Sequence, residues 1–231
     1  METCHILVVE DDQDINRLLC RILTDGGYDV RPAFSGSEAV LWAEQYDYDL
    51  VLLDLMLPGL TGEEFIARMR KKKTMPILVL SAKAGLEDRV NVLRLGADDF
   101  IPKPFDNDEV LARVEAQLRR YTRYNGTDKA ESDVIDFNGL VINKETHTCT
   151  LYDQPLVLTP IEFNLLWLLC ENRGRVLSSE ELFEKAWGEK YFNSNNTVMV
   201  HIRRLREKMH EPPKNPRFIK TVWGVGYKIE K

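Results

Sequence analysis

Acidic, basic and hydroxyl side chains follow four short aliphatic segments in the first half of the chain. They are Glu10 and Asp11, Asp54, Ser81, and Lys103. Three carboxylates brought together in one crevice repel one another unless a cation binds them, and such hard oxygen ligands suit Mg²⁺. Lys103 and Ser81 could then hold the oxygens of an anion beside the metal. This set predicts phosphoryl transfer to a carboxylate, with Asp54 as the nucleophile.

Each of these residues by itself has a simpler explanation. An acidic residue at a strand end commonly caps the next helix or turn, and an isolated lysine is usually a surface charge. The agreement of four strand ends favours one shared site over several unrelated surface features.

The elements that would position these residues alternate between strand-like and helix-like patterns five times. The predicted strands are Ile6–Val9, Tyr28–Arg31, Leu50–Leu53, Ile77–Leu80 and Phe100–Pro102. Helical patterns fill the gaps at about 13–25, 36–45, 61–70, 86–95 and 106–120. Strict alternation with short connections predicts an α/β fold, a doubly wound five-stranded parallel sheet of the flavodoxin type. Ligands bind beyond the carboxyl ends of such strands.

Length and composition are those of an ordinary globular protein. The chain has 231 residues, 44% of them hydrophobic and 29% charged, which predicts two domains. No apolar run approaches the ~18 residues of a membrane span and the first residues lack a signal-peptide pattern, so we expect a cytoplasmic protein without a membrane partner. The four cysteines are scattered without a C-x-x-C pair, which argues against a zinc site or a disulfide framework.

Charge is divided unevenly along the chain. Residues 1–121 carry a net charge of −7, residues 122–231 a net charge of +1, and residues 203–231 alone carry +6. This distribution predicts that only the end of the chain meets a polyanion such as DNA.

Four segments of the first half resemble the receiver domains of two-component response regulators. They are Val8–Asp12, Leu52–Gly59, Leu80–Ala82 and Gly96–Phe105, and the resemblance covers residues 1–121. It implies that Asp54 accepts a phosphoryl group from a sensor histidine kinase, and that the protein is a regulator and not an enzyme. It also implies a Mg²⁺ site formed by Glu10, Asp11, Asp54 and the Met56 carbonyl, with Lys103 and Ser81 binding the phosphoryl oxygens.

The resemblance assigns further roles near this site. Ser81 and Phe100 occupy the two switch positions, although related proteins commonly carry tyrosine where this chain has Phe100. The Lys103–Pro104 bond is expected to be cis, and Asp12 is expected to cap the helix that follows it. Phosphorylation is expected to produce a homodimer through the fourth and fifth helices and the fifth strand, using Arg89, Asp98, Asp99, Glu109 and Arg113.

The second half has a different organisation. Residues 122–133 are polar and are predicted to form a linker before a domain at 134–231. Short alternating segments at 134–158 predict a small antiparallel sheet. Three helices should follow, the first two starting with capping boxes at Thr159 and Ser178 and the third spanning about 195–209. With a hairpin at 218–229, these elements predict an α+β winged helix-turn-helix domain.

The third helix and the hairpin are the predicted DNA-contacting elements. An ordinary amphipathic helix with a charged outer face would show the same pattern as the third helix, and the basic hairpin is what favours DNA. On the helix, the expected buried stripe is Val198, Ile202, Leu205 and Met209. The candidate DNA-binding residues are Asn196, Thr197, Val200, His201, Arg203, Arg204, Arg206 and Lys208 on the helix, and Lys220, Thr221 and Trp223 in the hairpin.

The segments Thr197–Arg206 and Gly224–Tyr227 resemble the OmpR/PhoB class of response regulators. This resemblance implies a transcription factor that binds promoter DNA under the control of phosphorylation and acts with RNA polymerase as an activator. Within the class, residues 220–229 closely resemble regulators of vancomycin-resistance genes, which makes glycopeptide-resistance genes the candidate targets.

Two other functions fit part of the sequence. Phosphatases of the haloacid-dehalogenase type also use an aspartyl nucleophile in an α/β sheet, but they place a second aspartate two residues later, where this chain has Met56. A receiver that controls a protein partner through its C-terminal domain would show no salt-dependent affinity for DNA.

Overall fold

The computed structural model describes residues 3–82, 85–123, 134–188, 195–212 and 214–230. The chain divides into two compact units, Met1–Arg119 and Arg120–Lys231, and each is described by itself. Within the described ranges, no helix is both long enough and apolar enough to cross a membrane.

The first unit is a parallel sheet with a helix between successive strands. The strands are β1 (His5–Val9), β2 (Asp29–Ala33), β3 (Leu50–Asp54), β4 (Ile77–Ser81) and β5 (Asp99–Pro102). The helices are α1 (Gln13–Asp25), α2 (Gly36–Gln45), α3 (Gly62–Met69), α4 (Leu86–Leu95) and α5 (Asn107–Arg123). The strand order is β2-β1-β3-β4-β5 and every pairing is parallel, which confirms the predicted sheet.

The aliphatic runs of the sequence form the centre of this sheet. Every residue of β3 and β4 is buried, as expected for parallel strands covered by helices. Residues of α1 and α5 share one hydrophobic cluster with the strands, through Leu19, Leu23, Val110, Val114 and Leu118. Polar side chains can therefore gather only beyond the strand ends.

The helix boundaries agree closely with the sequence patterns. Helices α1, α2 and α4 have the predicted bounds. The Asp12 carboxylate accepts the N–H groups of Asp14 at 2.9 Å and Ile15 at 3.0 Å, so the predicted cap of α1 is confirmed. Helix α5 continues to Arg123, so its last two residues overlap the segment predicted as a linker. The rest of the predicted linker, residues 124–133, lies outside the described residues.

The second unit combines an antiparallel sheet, three helices and a hairpin in the predicted order. The sheet consists of β6 (Val134–Phe137), β7 (Leu140–Asn143), β8 (Thr148–Leu151) and β9 (Gln154–Pro155). The helices are α6 (Pro160–Glu171), α7 (Ser179–Trp187) and α8 (Asn195–Lys208), and the hairpin strands are β10 (Ile219–Val222) and β11 (Gly226–Ile229). A single hydrophobic cluster joins the three helices to both hairpin strands.

Capping pairs start two of these helices. The Ser178 hydroxyl accepts the Glu181 N–H at 3.0 Å, and the Glu181 carboxylate accepts the Ser178 N–H at 3.2 Å. In α6 the Glu162 carboxylate accepts the Thr159 N–H at 2.8 Å, yet Glu162 has no exposed surface. A buried carboxylate needs further partners, and α8 supplies them.

Candidate functional sites

The three predicted metal ligands lie together at the carboxyl end of the sheet. Because β1 and β3 are neighbouring parallel strands, Glu10 and Asp11 after β1 lie beside Asp54 at the end of β3. One ligand oxygen from each of the three carboxylates lies within 4.8 Å of the others. Glu10 and Asp54 are buried, with 1% and 5% of their surface exposed, whereas Asp11 is exposed.

Lys103 reaches this cluster from the end of β5. Its ammonium donates to Glu10 Oε2 and to Asp54 Oδ2, each at 2.6 Å. The Lys103 N–H donates to the Ser81 carbonyl at 2.8 Å, and the Lys103–Pro104 bond is cis as predicted. The lysine therefore lies between the two buried carboxylates.

Burial and Lys103 shift the pKa of Glu10 in opposite directions. Burial raises the pKa of Glu10, the hydrogen bond from Lys103 opposes that change, and the net shift is upward. Burial also lowers the pKa of Lys103, but its hydrogen bonds to Asp54 and Glu10 outweigh this and the pKa is raised. Lys103 therefore stays protonated and supplies the positive charge that two neighbouring carboxylates require.

The chemistry of the cluster fits a hard divalent cation. Three carboxylates, one of them facing solvent, match the preference of Mg²⁺ for oxygen ligands together with retained waters. The Met56 N–H donates to Asp54 Oδ1 at 3.1 Å, which fixes the backbone that carries the Met56 carbonyl close to the same carboxylate.

Two residues that the sequence analysis missed hold the site in place. The buried Asn16 amide donates to the Glu10 carbonyl at 2.9 Å and to the Ala33 carbonyl at 3.1 Å. Gly62 packs so closely that a Cβ at this position would lie 2.5 Å from the Asp54 carbonyl oxygen. A polar residue on the apolar face of α1 was the available signal for Asn16.

The two predicted switch residues are both buried. Ser81, at the end of β4, has no exposed surface, and its strand pairs with β3 next to Asp54. Phe100, on β5, is 3% exposed. The guanidinium carbon of Arg89 lies 5.5 Å from the centre of the Phe100 ring, within the range of a cation–π contact.

Asp98, one of the five residues predicted to form the dimer surface, does not belong there. Arg113 pairs within the chain with both Asp99 and Glu109, at 2.9 Å in each case. Asp98 is 1% exposed and accepts bonds from Arg70 at 2.7 Å and from the Ile77 N–H at 2.9 Å. The prediction that Asp98 belongs to a surface for dimerisation is therefore wrong, because its carboxylate holds the start of β5 from inside.

The prediction of which α8 side chains face solvent is also partly wrong. Thr197, Val200, His201 and Arg204 are all buried. The centres of the His201 and Trp187 rings lie 5.2 Å apart in an edge-to-face arrangement, and Arg204 forms an ion pair with Glu162 at 3.1 Å. Because α8 packs on both α6 and α7, it buries two adjacent stripes of side chains instead of one.

Two further basic residues of α8 make contacts inside the second unit. The Lys208 ammonium donates to Glu162 Oε2 at 2.6 Å and to the Val157 carbonyl at 2.9 Å. The Arg206 guanidinium donates to the Ile219 carbonyl at 2.7 Å and to the Thr221 hydroxyl at 2.8 Å. Both were predicted to contact DNA, and in this structure both join α8 to its neighbours.

Among the other candidates, Arg203 and Trp223 are exposed to solvent. The Arg203 side chain is 63% exposed and pairs with Glu207 one turn later at 2.9 Å. Met199 is 44% exposed one turn before Arg203, and Trp223 in the hairpin is 90% exposed. Lys220 donates to the Pro216 carbonyl. The side chain of Asn196 and the segment 189–194 lie outside the described part of the chain.

Comparison with known families accounts for both units. Residues 6–115 match the response regulator receiver domain, and residues 153–229 match the C-terminal domain of transcriptional regulatory proteins. The chain therefore belongs to the OmpR/PhoB class of response regulators, and it is a DNA-binding two-component response regulator. This combination of domains implies a histidine kinase and DNA as partners.

Individual relatives cover nearly the whole chain. It is 48% identical over 227 residues to the regulatory protein VanR of Enterococcus faecium, with 98% of each chain covered. It is 47% identical to VanRc of Enterococcus gallinarum over the same length and coverage. Among solved structures, a RitR mutant covers 99% of each chain with a TM-score of 0.78 and 28% identity. DrrB, an OmpR/PhoB homologue from Thermotoga maritima, covers 100% of each chain with a TM-score of 0.52 and 29% identity.

Proposed function

We propose that Asp54 is the phosphoryl acceptor of this regulator. The observation that carries the proposal is the Lys103 ammonium 2.6 Å from Asp54 Oδ2, beside a cluster of three carboxylates. A carboxylate oxygen of Asp54 attacks phosphorus, an O–P bond forms, and the P–N bond to the donor histidine breaks. Lys103 and Ser81 then hold the oxygens of the transferred group.

We propose that Glu10, Asp11, Asp54 and the Met56 carbonyl hold Mg²⁺ at this site. When bound, the cation neutralises the charge of the phosphoryl oxygens. The residues of the chain orient the Asp54 carboxylate. Lys103 orients Asp54 through Oδ2, and the Met56 N–H fixes Oδ1.

The test of the site is labelling of the full-length protein with a small acyl-phosphate donor and Mg²⁺. Asp54→Asn should abolish acid-labile phosphorylation. Asp47→Asn is the matched control, because its side chain is 97% exposed and lies outside the cluster. Full labelling of the Asp54→Asn protein would show that another residue accepts the phosphoryl group.

Phosphorylation is proposed to act through Ser81, Phe100 and the surface of α4, β5 and α5. Arg89, Asp99, Glu109 and Arg113 are the proposed contacts of a homodimer. In this structure Arg113 pairs with Asp99 and Glu109 of its own chain. A dimer that uses these residues therefore has to exchange contacts within one chain for contacts between two chains.

The second unit is proposed to read promoter DNA through α8 and the hairpin. Met199 and Arg203 on α8, with Lys220, Thr221 and Trp223 in the hairpin, form the proposed surface, and Asn196 stays a predicted contact. Arg203 supports this assignment best, because it is the described arginine of α8 that is mainly exposed. RNA polymerase is a proposed partner at the promoter.

Similarity to VanR over 98% of the chain supports glycopeptide-resistance genes as the proposed targets. Selection of bound fragments from the host genome with phosphorylated protein tests this directly. Enrichment of fragments upstream of such genes is expected. Enrichment upstream of unrelated genes alone would reject the target assignment while leaving DNA binding intact.

A further inference from the structure

The tip of the hairpin carries an unusually exposed indole. Trp223 is 90% exposed and Val225, two residues later, is 57% exposed. By contrast, Trp187 has no exposed surface and Trp167 has 8%. A single exposed apolar side chain needs no explanation by itself, so the inference depends on how the tip is held.

The recognition helix α8 holds the first strand of the hairpin. Arg206 of α8 donates to the Ile219 carbonyl from two nitrogens, at 2.7 and 3.2 Å, and to the Thr221 hydroxyl at 2.8 Å. Its guanidinium carbon also lies 6.0 Å from the Tyr227 ring on the second strand. Arg206 therefore ties the base of the hairpin to the helix.

The segment before α7 holds the second strand. Leu177 and Tyr227 exchange two backbone hydrogen bonds of 2.9 Å, and the Gly174 N–H donates to the Ile229 carbonyl at 2.8 Å. At Gly226 a Cβ would lie 2.0 Å from the Leu177 carbonyl oxygen, so only glycine allows this approach. Both strands are thus fixed at their base.

The turn of the hairpin projects from this base into open space. The Val225 N–H donates to the Val222 carbonyl at 3.0 Å. Gly224 has a φ of +74°, and a Cβ added there would meet nothing within 4 Å. The tip therefore presents Trp223 and Val225 to solvent on a rigid arm. Residues 203–231, which contain this arm, carry a net charge of +6. Arg204 and Lys208 pair with the buried Glu162, but Arg203, Lys214 and Arg217 are exposed and suit a polyanion.

We propose that Trp223 is an apolar wedge that enters the minor groove beside the recognition helix, unstacks one base step and bends the duplex. This proposal rests on the DNA-binding function proposed above. Apolar side chains inserted between base pairs kink DNA by about 20–90° toward the major groove. Because pyrimidine–purine steps open most easily, the wedge adds sequence preference at a step that α8 does not touch.

The test uses full-length phosphorylated protein and a short duplex cut from the genomic fragment that it selects. Donor and acceptor dyes at the duplex ends report bending, and 2-aminopurine placed at successive positions reports unstacking. Wild-type protein should increase energy transfer between the ends and brighten 2-aminopurine at one step in each half-site. Trp223→Ala should lose both signals and bind about 5- to 100-fold more weakly.

Three further variants separate a wedge from other roles. Trp223→Phe should restore most of the bending, because it keeps an aromatic wedge. Trp223→Arg should regain affinity through phosphate attraction without restoring the 2-aminopurine signal. Val157→Ala is the control, since Val157 is 64% exposed in the same unit and lies outside the hairpin.

Two outcomes would overturn the wedge. One is unchanged affinity and bending in Trp223→Ala. The other is unchanged DNA binding with lost transcription from the selected promoter, which would assign Trp223 to a protein contact. If the wild-type protein selects no fragment at all, the proposed DNA-binding function fails instead, so the two failures are distinguishable.

Discussion

Two adjacent arginines of α8 should behave in opposite ways when each is replaced by methionine. Arg204 is 9% exposed in its side chain and pairs at 3.1 Å with Glu162, which has no exposed side-chain surface. Breaking a buried pair by removing one partner costs ~3–5 kcal/mol. Because Lys208 still contacts Glu162 at 2.6 Å, we expect Arg204→Met to lower the free energy of unfolding by about 3 kcal/mol, the low end of that range.

Arg203→Met is the matched control on the same helix. Its side chain is 63% exposed and its partner Glu207 is 60% exposed, so this pair contributes only ~0.3–0.5 kcal/mol to stability. For DNA affinity we expect the reverse, a larger effect of Arg203→Met than of Arg204→Met. If Arg203 contacts a base, its loss should cost ~1–3 kcal/mol and relax specificity at one position.

Urea unfolding of the full-length protein followed by tryptophan fluorescence measures the first effect. Trp167, Trp187 and Trp223 belong to the second unit, so the signal reports mainly on the unit that contains Arg204. The double variant Glu162→Gln with Arg204→Met should lose less stability than the sum of the losses in the two single variants. In the double variant neither residue 162 nor residue 204 leaves a charged partner at the other position. If Arg204→Met has wild-type stability but loses discrimination at one base pair, Arg204 reads DNA and the reasoning from burial fails.

Three other predictions concern the pH, the dimer and the operator. Burial raises the pKa of Glu162, but the Arg204 and Lys208 charges outweigh it and the pKa is lowered. The stability that the ionised Glu162 contributes should therefore be present at neutral pH and should be lost as the pH falls from about 4.3 through the lowered native pKa. Urea titrations at a series of pH values should show this loss in the wild-type protein and not in Glu162→Gln. Lys103→Ala should still accept phosphate on Asp54 but should not dimerise, and Arg113→Glu should likewise remain monomeric by light scattering after phosphorylation; a normal dimer in either case would contradict the proposed route. The operator should contain two direct-repeat half-sites centred roughly 10–11 base pairs apart, and inserting five base pairs should weaken binding measured by gel shift because half a turn moves one site to the opposite face of the duplex.

The receiver could be predicted well from its sequence because its strands are buried along their whole length. An unbroken aliphatic run has one interpretation in such a sheet, and the polar residue that ends it must lie at the rim. This logic gave Glu10, Asp54 and Lys103 from single strand ends. It could not find Asn16, because a polar residue within an amphipathic helix has several possible partners and the sequence does not say which carbonyl it meets.

The predictions failed where two charged neighbours have different environments. Asp98 and Asp99 are adjacent and both buried, yet Asp98 pairs with Arg70, whose side chain is 9% exposed, and Asp99 pairs with Arg113, whose side chain is 23% exposed. Arg203 and Arg204 differ in the same way. Charge type alone predicts solvent exposure, and it does not show which neighbour pairs with Arg70 or with Glu162, both of which are distant in sequence.

The position of β5 suggests how phosphorylation could reach the proposed dimer surface. Asp99, which holds Arg113, and Phe100, which lies under Arg89, are on the same short strand that ends one residue before Lys103. Lys103 directly follows β5 and donates to Asp54, so we expect a phosphoryl group on Asp54 to affect that surface through this strand. Exchanging the Arg113 pairs from one chain to another should change the free energy by only ~0–1 kcal/mol per pair, because an equivalent pair replaces each pair that is lost. We therefore expect these pairs to select the correct partner and to supply little of the free energy of dimerisation.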